Sequence, residues 1–233
     1  MCGRFTLRHS ATEIAERFDV TNLTFDFVPR YNIAPTQPVA AITVDHTGER
    51  WLRPLKWGLV PFWAKDPSIG SRMINARAES LADKAAYKHA LERRRCLIPA
   101  DGFYEWVKNG TKRMPMHIHF RDGRLFAFAG LWDRWSRGEG QPIESCALIT
   151  TSANALVAPI HGRMPVLIDR GAYDLWLDPR ASEDDLRALL APFSAEAMEA
   201  FPVSPRVNGT DVDDADLARP VTPEPDPGQM RLF

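Results

Sequence analysis

The sequence predicts an α+β fold that is predominantly β, in a single compact domain with short peripheral helices. The 233 residues are 45% hydrophobic and 10% aromatic, which is enough to bury one substantial core. The 19 prolines, 14 glycines and 7 tryptophans are typical of many short elements joined by stiff turns. Extended apolar runs recur along the chain, so a long helical bundle is excluded.

The first half of the chain mixes strands with two helices. Ser10 and Glu13 have the spacing of a capping box, in which each side chain bonds the backbone N–H of the other residue. The predicted elements are a strand at 2–7, a helix from Ser10 to about Phe18, strands at 39–44 and 51–60, a loop at 61–78 and a helix at 79–94.

The second half is predicted to be mostly strands, with one late helix. Asn109-Gly110 and Asp122-Gly123 predict hairpin turns between three of the strands. The predicted elements are strands at 96–98, 103–107, 114–120, 125–131, 145–151 and 165–168, and a peripheral helix from Ser182 to about Leu190.

The end of the chain has a different composition from the rest. Residues 220–233 alternate prolines with acids and contain too few apolar residues to fold alone. We therefore expect one domain over residues 2–219, followed by a flexible acidic tail.

Charge and cysteine usage exclude several classes of protein. The net charge is -1, and from Arg206 onward there are six Asp/Glu but only three Arg, so the preceding body is slightly positive. Such a body does not coat DNA, and any nucleic acid must bind a local groove. Three cysteines form neither a disulfide framework nor a zinc array, which fits a reducing cytoplasm. Without an apolar signal segment, we expect a soluble, unexported protein.

Cys2 is the most unusual candidate for chemistry. Removal of Met1 would leave a cysteine with a free α-amine, which is a 1,2-aminothiol. An α-amine titrates near roughly 7.7–8.0, so a useful fraction is the uncharged nucleophile at neutral pH. With an aldehyde it would give a Schiff base and then, by ring closure through sulfur, a thiazolidine. The alternative is that Cys2 is only a small second residue.

Glu105 and His161 are candidates for proton transfer. Strand alternation places Glu105 on the face of Phe103 and Val107, where apolar neighbours should raise its pKa. His161 lies at a turn, and histidine exchanges protons near neutral pH. The alternatives are an edge-strand glutamate paired with an arginine and a solvent-facing histidine.

A second group of residues has the chemistry to bind nucleic acid or metal. The segment 73–79 could present Asn75 and Arg77 to a phosphate or a sugar. His117 and His119 share a strand face, but no third ligand accompanies them at a suitable spacing, so we expect no metal and no organic cofactor. Residues that could stack on bases or bind phosphates, unless the tryptophans are core, are Trp57, Phe62, Trp63, Arg4, Arg72, Arg77 and Arg163.

Six ordered blocks closely resemble the SOS response-associated peptidase (SRAP) family, and the resemblance spans residues 2 to about 221. The blocks are Met-Cys-Gly-Arg-Phe at the start, Tyr-Asn-Ile-Ala-Pro-Thr at 31–36, Trp-Gly-Leu-Val-Pro-Phe-Trp at 57–63, Ile-Asn-Ala-Arg-Ala-Glu at 74–79, Arg-Cys-Leu-Ile-Pro-Ala-Asp-Gly-Phe-Tyr-Glu-Trp at 95–106 and His-Gly-Arg-Met-Pro at 161–165. Gly162 departs from the acidic residue that often follows the histidine in the family.

The resemblance implies a compact, largely β SRAP-type domain with a positively charged groove for single-stranded DNA. It implies autocatalytic removal of Met1 and a thiazolidine cross-link between Cys2 and abasic sites. By the same match, Asn75 would hold the opened deoxyribose or the Cys2 amine, Glu105 would relay protons, and His161 would assist ring opening and cross-link reversal. The residues expected to contact DNA are Arg4, Trp63, Arg77 and Arg163.

Two other classes of function remain open. In the first, the protein is a cysteine peptidase acting in trans, with Cys2 as thiolate, His161 as base and Glu105 as the residue that orients the base. In the second, it is a non-catalytic reader of single-stranded DNA, which would need the basic and aromatic residues but not Cys2.

The last five residues suggest a further partner. Gln229-Met-Arg-Leu-Phe233 resembles the Gln-x-x-Leu-Phe peptides with which bacterial replication proteins dock on the sliding clamp, through Gln229, Leu232 and Phe233. The alternative is a random apolar end. We expect a cytoplasmic monomer associated with the nucleoid or the replication fork.

Overall fold

The described residues of a computed structural model, 2–109 and 112–222, form two β-sheets with short helices around them. The strands are β1 (Phe5–Leu7), β2 (Asn22–Leu23), β3 (Arg30–Ile33), β4 (Pro38–Val44), β5 (Arg50–Trp57), β6 (Asn75–Arg77), β7 (Arg95–Ala100), β8 (Gly102–Asn109), β9 (Lys112–Phe120), β10 (Phe126–Trp135), β11 (Ile143–Ser152), β12 (Arg163–Pro165), β13 (Leu167–Ile168) and β14 (Met198–Pro202). The predominantly β fold predicted from the sequence is therefore confirmed.

The helices are short. The α-helices are α1 (Ala11–Arg17), α2 (Ala85–Arg93), α3 (Tyr173–Leu177) and α4 (Glu183–Leu189). The 3₁₀ turns lie at Pro67–Arg72, Ala78–Ser80, Arg170–Ala172, Ala195–Ala197, Pro205–Asn208 and Ala215–Ala218. None of the helices in the described ranges is long and apolar enough to cross a membrane.

The larger sheet closes on itself. Its strand order is β12-β11-β10-β7-β4-β5-β2, with β13 paired to β10 and β6 paired to β11. An additional parallel pairing of β11 with β5, at Ser145↔Lys56 and Cys146↔Trp57, completes a ring of five strands. The smaller sheet has the order β14-β9-β8-β1-β3.

Aromatic side chains join the two sheets. The Phe5 ring of β1 makes edge contacts with Trp57 and Phe128 of the larger sheet, at centroid distances of 5.3 and 5.4 Å. All three side chains are buried. The strand that follows Cys2 is therefore fixed to the central core, because moving it would open cavities around large aromatic rings.

Several local predictions are confirmed. Ser10 and Glu13 form a reciprocal capping box at the start of α1, and Ser182 caps α4 by accepting from the N–H of Asp185. Strands β8 and β9 pair in antiparallel register out to Asn109↔Lys112. The turn predicted at Asn109-Gly110 reaches into residues 110–111, which lie outside the described residues, as do Met1 and residues 223–233.

The Asp122-Gly123 hairpin was a wrong prediction. Gly123 adopts a φ of 68°, so the turn itself forms, but it connects β9 of the smaller sheet to β10 of the larger one. The residues of a turn determine that the chain reverses direction. Which strands then pair is determined by the face that each strand buries.

The loop predicted at 61–78 was also partly wrong. Asp66 caps a 3₁₀ turn at Pro67–Arg72, and Asn75–Arg77 forms β6. The helix predicted at 79–94 is interrupted, with a 3₁₀ turn at Ala78–Ser80 before α2. The hydrogen-bond partner of β6 is β11, more than 70 residues away in the chain, so local pattern could not reveal this strand.

Candidate active site

Cys2 lies in the core, at the start of the smaller sheet. Its side chain is fully buried, and its Sγ lies 3.8 Å from the carbonyl oxygen of Arg4. β1 pairs with β8 at Phe5↔Phe103, and the N–H of Tyr104 donates to Arg4 O at 3.0 Å. Continuing this antiparallel register toward the N-terminus brings Cys2 beside the part of β8 that carries Glu105.

Burial controls the thiol. Transfer out of water raises the pKa of the Cys2 thiol well above its ordinary value, and the negative charge of Glu105 raises it further. The side chain is therefore a neutral thiol at neutral pH.

Asn75 connects the larger sheet to Cys2. The parallel register Leu148↔Asn75 fixes its backbone in β6, and the Tyr87 hydroxyl donates to Asn75 O at 3.3 Å. Its Nδ2 donates to the carbonyl oxygen of Cys2 at 2.9 Å. Its Oδ1 is buried and has no hydrogen-bond partner among the residues that the structure describes. The amide thus holds Cys2 with one end and keeps an unused acceptor at the other.

Glu105 is buried, as strand alternation predicts. Its residue is 3% exposed, and Phe103 on the same face is fully buried. Burial raises the pKa of Glu105, while the positive charge of His161 acts in the opposite direction. The carboxyl therefore holds its proton to a higher pH than a surface glutamate would.

His161 lies just before β12, in the turn that the sequence indicates. Its Nδ1 accepts from the N–H of Arg163 at 3.0 Å and lies 3.1 Å from Arg163 O. When Nδ1 accepts from this N–H, the ring carries its proton on Nε2, so the loop fixes the tautomer and the orientation of the ring.

The site draws on both sheets. Glu105 lies in β8 of the smaller sheet and Cys2 lies three residues before its strand β1, whereas Asn75 in β6 and His161 just before β12 lie beside β11 of the larger sheet. The Asn75 to Cys2 hydrogen bond spans the junction. Four side chains that are distant in the sequence thus meet where the sheets meet.

Thr150 is a site residue that the sequence did not indicate. It is fully buried in β11, its Oγ1 donates to Ala76 O at 3.4 Å, and its carbonyl oxygen accepts from Arg163 at 2.6 Å. It ties β6 to the strand that carries Arg163. A threonine in a buried strand gives no local signal of such a role.

The four expected DNA contacts fall into two groups. Trp63 and Arg77 are exposed. Arg4 donates to Asn32 Oδ1 at 2.8 Å, and Arg163 forms a two-pronged ion pair with Glu79 at 2.7 and 2.9 Å. The second group therefore already has protein partners in the free molecule.

The loop that presents Phe62 and Trp63 is anchored. The N–H of Phe62 donates to the buried carboxylate of Asp133 at 2.7 Å, and the same carboxylate pairs with Arg94. Phe62 and Trp63 are 43% and 39% exposed. Large aromatic side chains held open to solvent on a fixed loop suit stacking against a flat ligand.

Two other candidates are structural. Trp57 is fully buried, so the possibility that it stacks on bases was wrong. His117 and His119 stack on each other at 5.4 Å, and no cluster of three or more His, Cys, Asp or Glu side chains that could hold a metal occurs in the described ranges.

Comparison with known proteins extends over most of the chain. A family model described as "SOS response associated peptidase (SRAP)" matches residues 1–210. The chain is 44% identical over 221 residues to "Abasic site processing protein YoaM" of Bacillus subtilis, covering 93% of this chain and 97% of that protein. It is also 44% identical over 212 residues to "Abasic site processing protein YoqW" of the same species, covering 89% and 94%.

Solved structures support the fold. A crystal structure of a protein from Bacteroides thetaiotaomicron superimposes with a TM-score of 0.85 at 24% identity, covering 95% of this chain and 100% of that one. At that identity the similarity concerns the fold alone.

Proposed function

This chain belongs to the SOS response-associated peptidase family, and from that premise we propose that it processes abasic sites by bonding covalently to them in single-stranded DNA. Its Bacillus relatives are named abasic site processing proteins. In this proposal the protein removes Met1 itself, and the freed aminothiol of Cys2 captures the ring-opened deoxyribose. The thiazolidine product shields the lesion.

The observation that carries the proposal is the pairing of Asn75 with Cys2. The amide holds the Cys2 carbonyl at 2.9 Å, and its buried Oδ1 has no partner within residues 2–109 and 112–222. A buried acceptor without a donor lowers the stability of the fold. That Asn75 is kept despite this cost indicates that its Oδ1 receives a donor during function. The Cys2 α-amine or a sugar hydroxyl has the chemistry to fill it.

The buried thiol sets the order of bond formation. Because the pKa of the Cys2 thiol is raised, sulfur is a weak nucleophile at first, and the uncharged α-amine attacks the aldehyde carbon. Loss of one water gives the imine. The sulfur then adds to the imine carbon while the thiol proton passes to the nitrogen, which closes the thiazolidine ring.

Glu105 and His161 supply proton transfers in this scheme. Glu105, whose pKa is raised by burial, protonates the sugar ring oxygen while the proton of the C1′ hydroxyl returns to it through His161. When the carbinolamine collapses, Glu105 protonates the hydroxyl that leaves as water and takes back the proton that nitrogen releases. His161 exchanges protons during ring opening and during reversal of the cross-link. The bond that its Nδ1 accepts from the Arg163 N–H orients the ring for this role.

A groove for an unpaired strand would lead to this site. Trp63 stacks on a base, and Arg77 meets the phosphate backbone. Arg163 contributes by exchanging its ion pair with Glu79 for a phosphate, and Arg4 contributes where its bonds to the protein leave N–H groups available. Only an unpaired strand can bring a missing base to the protein's N-terminus.

A peptidase acting in trans is the second candidate, because the family name refers to that activity. It would use the Cys2 thiolate, with His161 as base and Glu105 as the orienting group. Catalytic thiolates need a lowered pKa, whereas here burial and the charge of Glu105 both raise it. A passive reader of single-stranded DNA would need no buried Cys2 at all.

The remaining parts of the proposal concern organisation. Residues 2–219 act as one catalytic and DNA-binding domain, working as a monomer in the cytoplasm near the nucleoid or replication fork. Residues 220–233 act as a tether, with Gln229, Leu232 and Phe233 as a clamp-binding end. No cofactor takes part in the proposed chemistry.

The test compares wild-type protein with Cys2→Ser, on single-stranded DNA carrying one abasic site. Wild-type protein should give an adduct that survives denaturing electrophoresis without reduction. Cys2→Ser keeps the amine once Met1 is lost, which intact mass must establish first, and the imine of that processed variant should be trapped only when borohydride is present. An unreduced adduct of equal yield with Cys2→Ser would contradict the thiazolidine.

A stable tetrahydrofuran abasic analogue provides the matched substrate control, because it has no aldehyde. It should bind without forming an adduct. A wild-type protein that bound both oligonucleotides equally and formed no adduct would be a passive reader.

A further inference from the structure

Asn208 joins the two strands that carry Cys2 and Glu105. It ends the 3₁₀ turn Pro205–Asn208, and its Oδ1 accepts from the Trp106 indole Nε1 at 2.8 Å. Its carbonyl oxygen accepts from the Arg4 guanidinium at 3.1 Å. Arg4 is two residues from Cys2, and Trp106 is next to Glu105. The side-chain and main-chain oxygens of Asn208 therefore bind a residue close to Glu105 and a residue close to Cys2.

The segment around Asn208, residues 205–213, is itself firmly held, and we call it the strap. Asn32 is fully buried, and its Nδ2 donates to the strap carbonyls of Gly209 and Val212 at 2.7 and 2.8 Å. Val207 is buried in a cluster with Tyr104. These anchors give Asn208 a fixed position from which to hold Arg4 and Trp106.

Backbone pairing between β1 and β8 ends close to this point, whereas β8 itself stays paired with β9 through Glu105↔Met116 and Trp106↔Pro115. The described register of β1 with β8 covers Phe5↔Phe103 and Thr6↔Gly102, and the bond from Tyr104 N–H to Arg4 O extends it. Beyond that bond, toward Cys2 and Glu105, the Arg4 and Trp106 side chains both reach Asn208. Beyond the last backbone hydrogen bond between the two segments, the strap therefore links them through side chains.

From this geometry we propose that Asn208 is a positioning residue, which fixes the separation of Cys2 and Glu105 through Arg4 and Trp106. The inference rests on the proposed function, because it matters only if these two side chains react together. Proton transfer requires heavy atoms within roughly 2.6–3.2 Å, and misplacement by about 1 Å can cost two orders of magnitude in rate.

The experiment uses the full chain and measures two quantities separately. One is the first-order rate constant of cross-linking at saturating protein, and the other is the Kd for the tetrahydrofuran oligonucleotide. Asn208→Ala and Trp106→Phe should each slow cross-linking about tenfold, while the Kd stays within about twofold. Because Asn208 is exposed, Asn208→Ala leaves the core intact.

A double-mutant cycle tests the bridge itself. If Asn208 acts through the indole N–H, the double variant should be no slower than the slower single variant. Asn208→Asp keeps an oxygen for the indole, and it should recover most of the rate at the optimum of its own pH profile.

Ser204→Ala is the matched control, because Ser204 Oγ caps the same turn by accepting from the N–H of Arg206 at 3.3 Å and touches neither strand. It should lower the melting temperature as much as Asn208→Ala does and leave the cross-linking rate unchanged. Wild-type rates in both single variants, or single effects that multiply in the double variant, would overturn the positioning role alone. A wild-type protein that forms no adduct would overturn the proposed function and this inference together.

Discussion

At the residue scale, the proton on the Glu105 carboxyl affects both the folding stability of the protein and the proposed proton transfer. Burial raises the pKa of its carboxyl above the ordinary value of 4.5, so the folded protein binds this proton more tightly than the unfolded chain. By linkage, its contribution to stability falls as pH rises from about 4.5 through the raised folded pKa, and the full cost is present above that pKa. The site therefore keeps an acid that the fold would be more stable without.

Glu105→Gln should separate these two effects. We expect cross-linking at pH 7 to slow by about 100-fold, because the proton relay is lost. The melting temperature should rise relative to wild type at pH 8, and this gain should shrink toward pH 4, where the wild-type carboxyl is protonated. Single-turnover kinetics and thermal melts across that range are the measurements. A variant that reacts at the wild-type rate would remove Glu105 from the mechanism.

Substitutions of Asn75 test whether its Nδ2 donor and its Oδ1 acceptor each contribute to cross-linking. Asn75→Ala removes both the donor to Cys2 O and the unpartnered Oδ1, whereas Asn75→Asp keeps an acceptor and loses the donor. If orientation of Cys2 matters, both variants should slow cross-linking by about tenfold or more. Asn22→Ala, which removes a remote surface amide, should leave the rate unchanged. A wild-type rate in Asn75→Asp would mean that the bond to Cys2 O has no role in the reaction.

At the scale of elements, the segment from β5 to the Trp63 loop depends on a close approach of two backbones. Gly58 has a φ of 136°, and a Cβ there would lie 2.6 Å from the carbonyl oxygen of Gly70. No flexible side chain is available to move, so the added methyl group must displace main chain.

Gly58→Ala should therefore destabilise the protein by at least about 3 kcal/mol. Gly48→Ala is the control, because Gly48 has a φ of 89° but no atom within 4 Å of an added Cβ, so only backbone strain of about 1–2 kcal/mol is expected. Urea unfolding of both variants gives the comparison. Equal losses would show that the contact with Gly70 carries no cost.

Local sequence signals predicted only part of these elements. The capping box at Ser10 and the alternation that buries Glu105 depend on residues close in the chain, and both are present in the structure. Strand β6, strand β14 and the strap depend on partners far away in the sequence, so no window of neighbouring residues could reveal them.

The same limit applies to the site. Cys2, Asn75, Glu105 and His161 were proposed from their chemistry and from the motifs that resemble a family, and their roles stay predictions. Asn208 was not predicted, because it lies outside those motifs and its hydrogen bonds to Arg4 and Trp106 join residues far apart in the sequence.

At the scale of the whole molecule, the near-neutral net charge means that only local contacts can bring the protein to DNA. The net charge of -1 provides no general attraction to DNA, so a tether to the replication machinery would raise the local concentration at lesions. The first residues of the candidate tether, 220–233, lie against the domain, because Pro220 forms a bridge with Val203 and the Val221 N–H bonds to Pro202 O at 2.9 Å.

Truncation after Thr222 should therefore leave the domain intact. We expect the truncated protein to cross-link abasic DNA at the wild-type rate and to lose binding to purified sliding clamp. Leu232→Ala with Phe233→Ala in the full chain should have the same effect on clamp binding. Clamp binding that survives these changes, or that full-length protein never shows, would exclude the tether.

The central claim is covalent capture by the aminothiol of Cys2, and intact mass measured by denaturing mass spectrometry tests it most directly. The purified protein is weighed before and after incubation with a single-stranded oligonucleotide carrying one abasic site. We predict loss of Met1, followed by an adduct equal to protein plus DNA less one water, and no such stable adduct with Cys2→Ala. A protein that has already lost Met1 and keeps an unchanged mass after incubation would contradict the claim.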